Sequence, residues 1–249
     1  MIDERIKKLL RSLAERYETA AFLQGDPSWF MHQVHGAANQ ETMAFLAASL
    51  SYGSRKQFLP KIQYLLDCSR GEPLEWLKSG EYEQDIHSDE RCFYRLYTNC
   101  CFHAFLQTTQ TLLRQYGTLG QFVRSHAVDT LSALRVLTSY YAEHHAVSVI
   151  PKDTVSACKR LCMFMRWMVR RNSPVDLGLW EFVSPASLIM PLDTHVLQEA
   201  SRLGLISSTT ATMTTALRLT DTLREVFPDD PVKADFALFG YGVSNEHLI

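Results

Sequence analysis

KDTVSACKRLCMFMRWMVRR, running from Lys152 to Arg171, carries six cationic side chains against Asp153 alone, in a chain whose net charge is -2. At about 100° per residue, Lys159, Arg166 and Arg170 fall within about 40° of one another, with Arg160 and Arg171 in a second row. Leu161, Phe164, Met165, Met168 and Val169 cover the opposite side. The spacing predicts an amphipathic helix over about 153–171, with Asp153 or Thr154 as its N-cap.

The same periodicity extends in both directions, with Gly and Pro at the handovers and almost no strand alternation, so the expected class is all-α. Helices are expected at roughly 3–22, 40–51, 55–68, 73–78, 90–116, 119–124, 128–144, 153–171, 178–182, 185–189, 194–203, 209–226 and 231–241. Asp230-Pro231 marks one start well, because aspartate can cap and proline can take the first helical position. With 249 residues and 46% hydrophobic content, the chain can bury a large core as a single domain, 1–249. The amino-terminal MIDERIKKLLRSLAERY is charged every few residues and nowhere do 18 apolar residues run together, so we expect a cytoplasmic protein and no membrane partner. Cys68, Cys92, Cys100, Cys101, Cys158 and Cys162 lack C-x-x-C spacing and read as small buried hydrophobes rather than disulfides or a zinc site.

Three features point to chemistry. The cationic residues near Lys159 alternate with Met163 and Trp167, a mixture suited to phosphate contacts beside a base-stacking surface, although a solvated surface helix has the same pattern. Lys159 is expected one and a half turns into its helix among Ala157, Cys158, Leu161 and Cys162. A lysine nucleophile must be neutral, which from a reference pKa of about 10.4 needs burial or neighbouring cations, and Arg160 and Arg166 are placed to supply the latter. Pro191-Leu192-Asp193-Thr194-His195-Val196 then delivers a carboxylate to a helix start, where its plain role is an N-cap; capping and catalysis are compatible.

Lys159, followed by Pro191-Leu192-Asp193-Thr194-His195-Val196 and Arg202-Leu203-Gly204, resembles the active-site elements of the helix-hairpin-helix DNA glycosylase superfamily. The lysine-to-aspartate gap of 34 residues looks most like the archaeal 8-oxoguanine DNA glycosylase type. Ser156–Arg160, Arg166–Arg170, Asp176–Trp180 and Asp230–Leu238 together resemble an uncharacterised bacterial family over most of the chain. The glycosylase likeness implies two helical lobes flanking a cleft, a middle lobe of about 40–172 and a second from about 1–39 plus 173–249. It also implies base-excision repair of an oxidised purine such as 8-oxoguanine, with abasic-site lyase activity: Asp193 stabilises positive charge on the sugar and Lys159 attacks the anomeric carbon. Double-stranded DNA with a damaged base is the implied partner and a monomer the expected state. The implied DNA-binding residues are Lys152, Thr154, Ser156, Arg160, Arg166 and Arg170, with Arg55 and Lys56 from the Ser51–Lys56 turn; Trp167, Trp180, Asp235 and Phe236 are candidates for the base pocket.

The chain departs from that pattern at Ile150–Ser156, where the expected hairpin has no glycine, and no cysteine follows Cys162 to hold the iron–sulfur cluster of some relatives. No cofactor is called for. Glu143-His144-His145 offers no metal site, since adjacent histidines on a helix point about 100° apart. The alternative function is a non-enzymatic helical module that holds DNA or RNA with the basic helix 152–171, leaving Asp193 as a cap only.

Overall fold

The structure, a computed structural model, describes residues 2–244. Helix makes up 62% and strand 3%, so the chain is all-α. In chain order the elements are α1 (Glu4–Tyr17), α2 (Ala37–Leu50), α3 (Arg55–Ser69), α4 (Pro73–Ser79), α5 (Tyr82–Asp85), β1 (Cys92–Tyr94), β2 (Tyr97–Thr98), α6 (Asn99–Tyr116), α7 (Leu119–His126) and α8 (Thr130–Glu143). There follow α9 (Lys159–Val169), α10 (Thr194–Arg202), α11 (Met213–Leu223) and α12 (Ala234–Ser244), with short 3-10 turns that include Pro185–Ser187 and Pro231–Lys233. Among the described residues, no helix is long and apolar enough to cross a membrane.

Three expected helices need correction, and in each a specific contact, a local hairpin in one case and pairing with another segment in the others, overrides helix propensity. Residues 90–98 form a hairpin instead of the start of α6: Arg95 takes a φ of 51° and Cys92 pairs with Thr98. The Thr98 hydroxyl then accepts from the Cys101 amide at 3.2 Å and opens the helix. Residues 153–158 are not helical either. The Val155 carbonyl accepts from the Met213 amide at 3.2 Å, Ser156 bridges to Thr212, and Cys158 turns the chain at φ 47° with no side-chain cap. Neither Asp153 nor Thr154 therefore caps α9, and Lys159 is its first residue.

The third is 178–182. Leu177 and Gly178 donate their amides to the Trp167 carbonyl at 2.8 and 3.2 Å, and Trp180 donates to Met168 at 2.7 Å. Those amides satisfy carbonyls that the end of α9 leaves without helical partners, so they are not available for a helix of their own. Gly178 has φ 63°, and a Cβ there would lie 2.9 Å from the Arg170 carbonyl; only glycine fits this approach.

The chain forms two compact units. One gathers the chain up to Phe22, Asp129–Leu131 and the chain from Thr154 onward; the other comprises Leu23–Val128 and Ser132–Asp153. The expected division, at about 172, kept α9 with the middle helices, whereas here it shares a unit with Asp193. In this first unit α1 packs on α12, and Phe22 sets its ring edge against Phe236 and Phe239 at 4.9 and 5.0 Å. The expected apolar face of α9 (Leu161, Phe164, Met165, Met168 and Val169) is buried throughout. In the second unit Phe45, Phe102, Phe105 and Tyr141 form the aromatic centre. The buried Glu41 carboxylate accepts the Leu119 and Gly120 amides at 2.7 and 3.0 Å, anchoring the start of α7.

Candidate active site

Lys159 begins α9 and Asp193 immediately precedes α10, both in the first unit. Lys159 Nζ donates to Asp193 Oδ2 at 2.7 Å, and Asp193 Oδ1 accepts the Val196 amide at 2.8 Å. One carboxylate thus caps α10 and holds the lysine. The two side chains are 38% and 35% exposed, so the pair is neither core nor fully solvated. Burial alone would push the Asp193 carboxyl up. The charge and hydrogen bond of Lys159, the Val196 amide and nearby His195 outweigh that and hold it below the ordinary carboxylate range.

About two turns further along α9 begins a buried charge network. Arg166 Nε donates to Asp176 at 3.2 Å and its Nη1 to Asp235. Arg170 reaches Asp176, Asp230 (Nε to Oδ2, 2.8 Å) and Glu18 (2.7 Å). Both guanidinium groups lie over the Phe236 ring, at 4.6 and 5.2 Å. Burial raises the Asp235 carboxyl, against the pull of Arg166 and Lys159 and with Asp193 adding to the rise, so Asp235 is within electrostatic reach of the Lys159–Asp193 pair.

These contacts correct several sequence expectations. Arg166 and Arg170 have side chains only 3% exposed and spend their donors on carboxylates, so they do not form a phosphate-facing row. Asp230 engages Arg170 and makes no side-chain cap bond, while Pro231 does take the first position of its turn. Trp167, Trp180 and Phe236 are buried core rings, with Trp180 edge-on to Phe164 at 5.3 Å, and none presents an open face for a base. Asp235 keeps 17% of its side chain exposed.

Ser156 is exposed and Arg160 half-buried, both in the unit that holds the pair, as does half-buried Thr154. Lys152, Arg55 and Lys56 are exposed and belong to the other unit; Arg55 lies 3.5 Å from Asp26.

A family model described as a protein of unknown function (DUF2400) matches residues 26–244. The chain belongs to that family. Neither the curated proteins nor the solved structures yield a match.

In this DUF2400 chain the sequence reading missed Glu18 and Asp176 as partners of the α9 arginines. Asp176 could have been found: it follows Arg170 by 6 residues across a short turn, and a carboxylate that close to a helix C-terminal arginine is a natural counter-ion. Glu18 carries no such local signal. Trp167 Nε1 is buried without a hydrogen-bond partner, so its indole acts here as apolar bulk.

Proposed function

We propose that the chain is a DNA base-excision glycosylase with abasic-site lyase activity, built on a helix-hairpin-helix glycosylase-like fold and acting on an oxidised purine such as 8-oxoguanine in duplex DNA. The observation that carries this reading is the 2.7 Å approach of Lys159 Nζ to Asp193 Oδ2, at a part-exposed site and between two helix starts. A structural salt bridge alone would not require the carboxylate to occupy a cap that fixes its orientation.

The chemistry follows from those two groups. The flipped nucleotide presents C1′ to Lys159. As the glycosidic bond breaks, its electron pair leaves with the base, which takes up a proton. Asp193, ionised and held by the Val196 amide, stabilises the positive charge that develops on the sugar. Lys159, having released a proton, forms the N–C1′ bond. Ring opening gives an iminium, and loss of a C2′ proton then expels the 3′ phosphate. Carboxylate and amine supply this sequence without a metal.

The alternative of a non-enzymatic nucleic-acid module draws less support, because Arg166 and Arg170, the core of its proposed grip, are committed to buried carboxylates. Borohydride trapping on duplexes carrying 8-oxoguanine or an abasic site tests the proposal. A covalent adduct formed by the unmodified chain and lost in Lys159→Gln is expected. Trapping that persists in Lys159→Gln removes Lys159 from its role, and duplex binding without any adduct favours the module.

A further inference from the structure

The second unit carries a hairpin built against local preference. β1 and β2 pair Tyr94 with Tyr97, so the turn consists of Arg95 and Leu96 alone. Turns this short favour Asn-Gly or other glycine-containing pairs, whereas Arg95 holds a φ of 51° and Leu96 is 78% exposed. A strained arginine and an uncovered leucine are both unfavourable in the chain by itself, which points to a use outside it.

The tip is braced. Behind it, Phe93 stacks on Phe102 with ring centroids 4.1 Å apart, and Lys61 lies over the Phe93 ring at 4.9 Å. The Tyr94 hydroxyl donates to the Tyr52 carbonyl, and the Arg95 guanidinium lies over the Tyr52 ring at 5.1 Å. Gly53 permits that approach, because a Cβ there would collide with Arg95 Nη1. The same Nη1 lies 3.5 Å from Gln57 Oε1, which sets the tip beside the first turn of α3, where Arg55 and Lys56 are exposed. Asp26 offsets part of the Arg55 charge at 3.5 Å; among the described residues, neither Lys56 nor Arg95 forms an ion pair.

A single protruding aliphatic side chain fits a gap, and cations around it call for a polyanion. Stacking on single-stranded nucleic acid is poorly served, because Phe93 is taken up by Phe102 and Lys61, and Tyr52 carries Arg95 over its ring. We propose that the Arg95-Leu96 tip inserts into duplex DNA: Leu96 enters between two base pairs and kinks the duplex, while Arg95, Arg55 and Lys56 hold flanking phosphates. For its partner this rests on the DNA reading above, but it requires neither a lesion nor Lys159.

An undamaged duplex of about 25 base pairs, carrying a donor and an acceptor dye at its two ends, tests this with the full chain. Anisotropy reports binding and energy transfer reports bending. Saturable binding with a rise in transfer is expected. Leu96→Ala should abolish the rise at saturating protein and weaken binding about tenfold, while Leu96→Phe keeps both. Arg55→Gln and Lys56→Gln should each lower the slope of log K against log salt by about 1 and leave bending intact at low salt. Bending that persists in Leu96→Ala overturns the proposal. So does the absence of saturable duplex binding up to about 100 μM chain at low salt, or binding to phosphatidylserine vesicles in place of duplex. Borohydride adducts without bending overturn this contact and leave the Lys159 chemistry standing; bending without adducts supports the contact and counts against that chemistry.

Discussion

Lys159 Nζ and Asp193 Oδ2 stand 2.7 Å apart while the other oxygen of the same carboxylate holds the Val196 amide. Orientation of the proposed reactive pair and formation of α10 are therefore one event, and the two roles of Asp193 can be separated by substitution. Asparagine caps almost as well as aspartate but carries no charge. Asp193→Asn should keep the stability within about 0.5 kcal/mol of a good cap yet lower adduct formation by about 10²-fold or more, the scale of losing one preorganised electrostatic group. Asp193→Ala should lose the activity and also about 1 kcal/mol of stability. Urea denaturation beside trapping rates checks this, and equal trapping in Asp193→Asn and the unmodified chain would count against the role.

Acid should erode the Asp193 contribution in a defined window. A carboxyl whose folded pKa is depressed adds stability above its unfolded value, near 4, and loses that contribution as pH falls through the folded value. Asp230 is shifted the opposite way, upward by burial, but is common to both proteins and cancels in a difference; Asp235 is also raised chiefly by burial, with the Asp193 charge a smaller contributor, so only that smaller part differs between the two. The stability gap between the unmodified chain and Asp193→Asn should thus be level from about pH 7 to 5 and narrow below about pH 4. A gap that widens on acidification contradicts this sign.

Arg170 is the most consequential charge to remove. It serves Asp176, Asp230 and Glu18, and the Asp176 side chain is wholly buried. Arg170→Met should destabilise by about 3–5 kcal/mol, because it strands buried carboxylates instead of deleting a whole ion-pair set. Arg170→Lys keeps the charge but not the forked geometry and should fall between the two. Denaturant midpoints decide the order.

Gly240 sets the approach of α1 to α12. A Cβ at this position would sit 2.2 Å from the Tyr17 ring, so Gly240→Ala should cost about 1–3 kcal/mol by overpacking. Tyr17→Ala should be less damaging in the Gly240→Ala background than alone, since the two changes compete for one space. Additive losses in thermal melts would show that the helices are not in contact there.

How much of this was legible in the chain depends on how local the deciding contact is. Asp193 could be read as a cap because its bond to Val196 spans three residues, and the apolar side of α9 followed from its period. The fate of Arg166 and Arg170 could not: a solvated row and a buried ion-paired row have the same spacing, and Glu18 and Asp230, far away in sequence, decide between them. The start of α9 was misread for the same reason. Asp153 and Thr154 are sound caps by type, but pairing of 155–156 with 212–213 holds the segment extended. The pairing of Lys159 with Asp193 was anticipated only through resemblance, since neither residue alone announces the other.

The contact of α1 with α12 has a practical corollary. The family match begins at residue 26, after α1 has ended. A fragment trimmed to the recognisable region would discard Tyr17, Glu18 and Phe22, uncovering Phe236 and Phe239 and depriving Arg170 of one carboxylate. The stretch that sequence comparison recognises is shorter than the stretch that folds, so soluble fragments for crystals or spectra should start at the first helix and not at the family boundary.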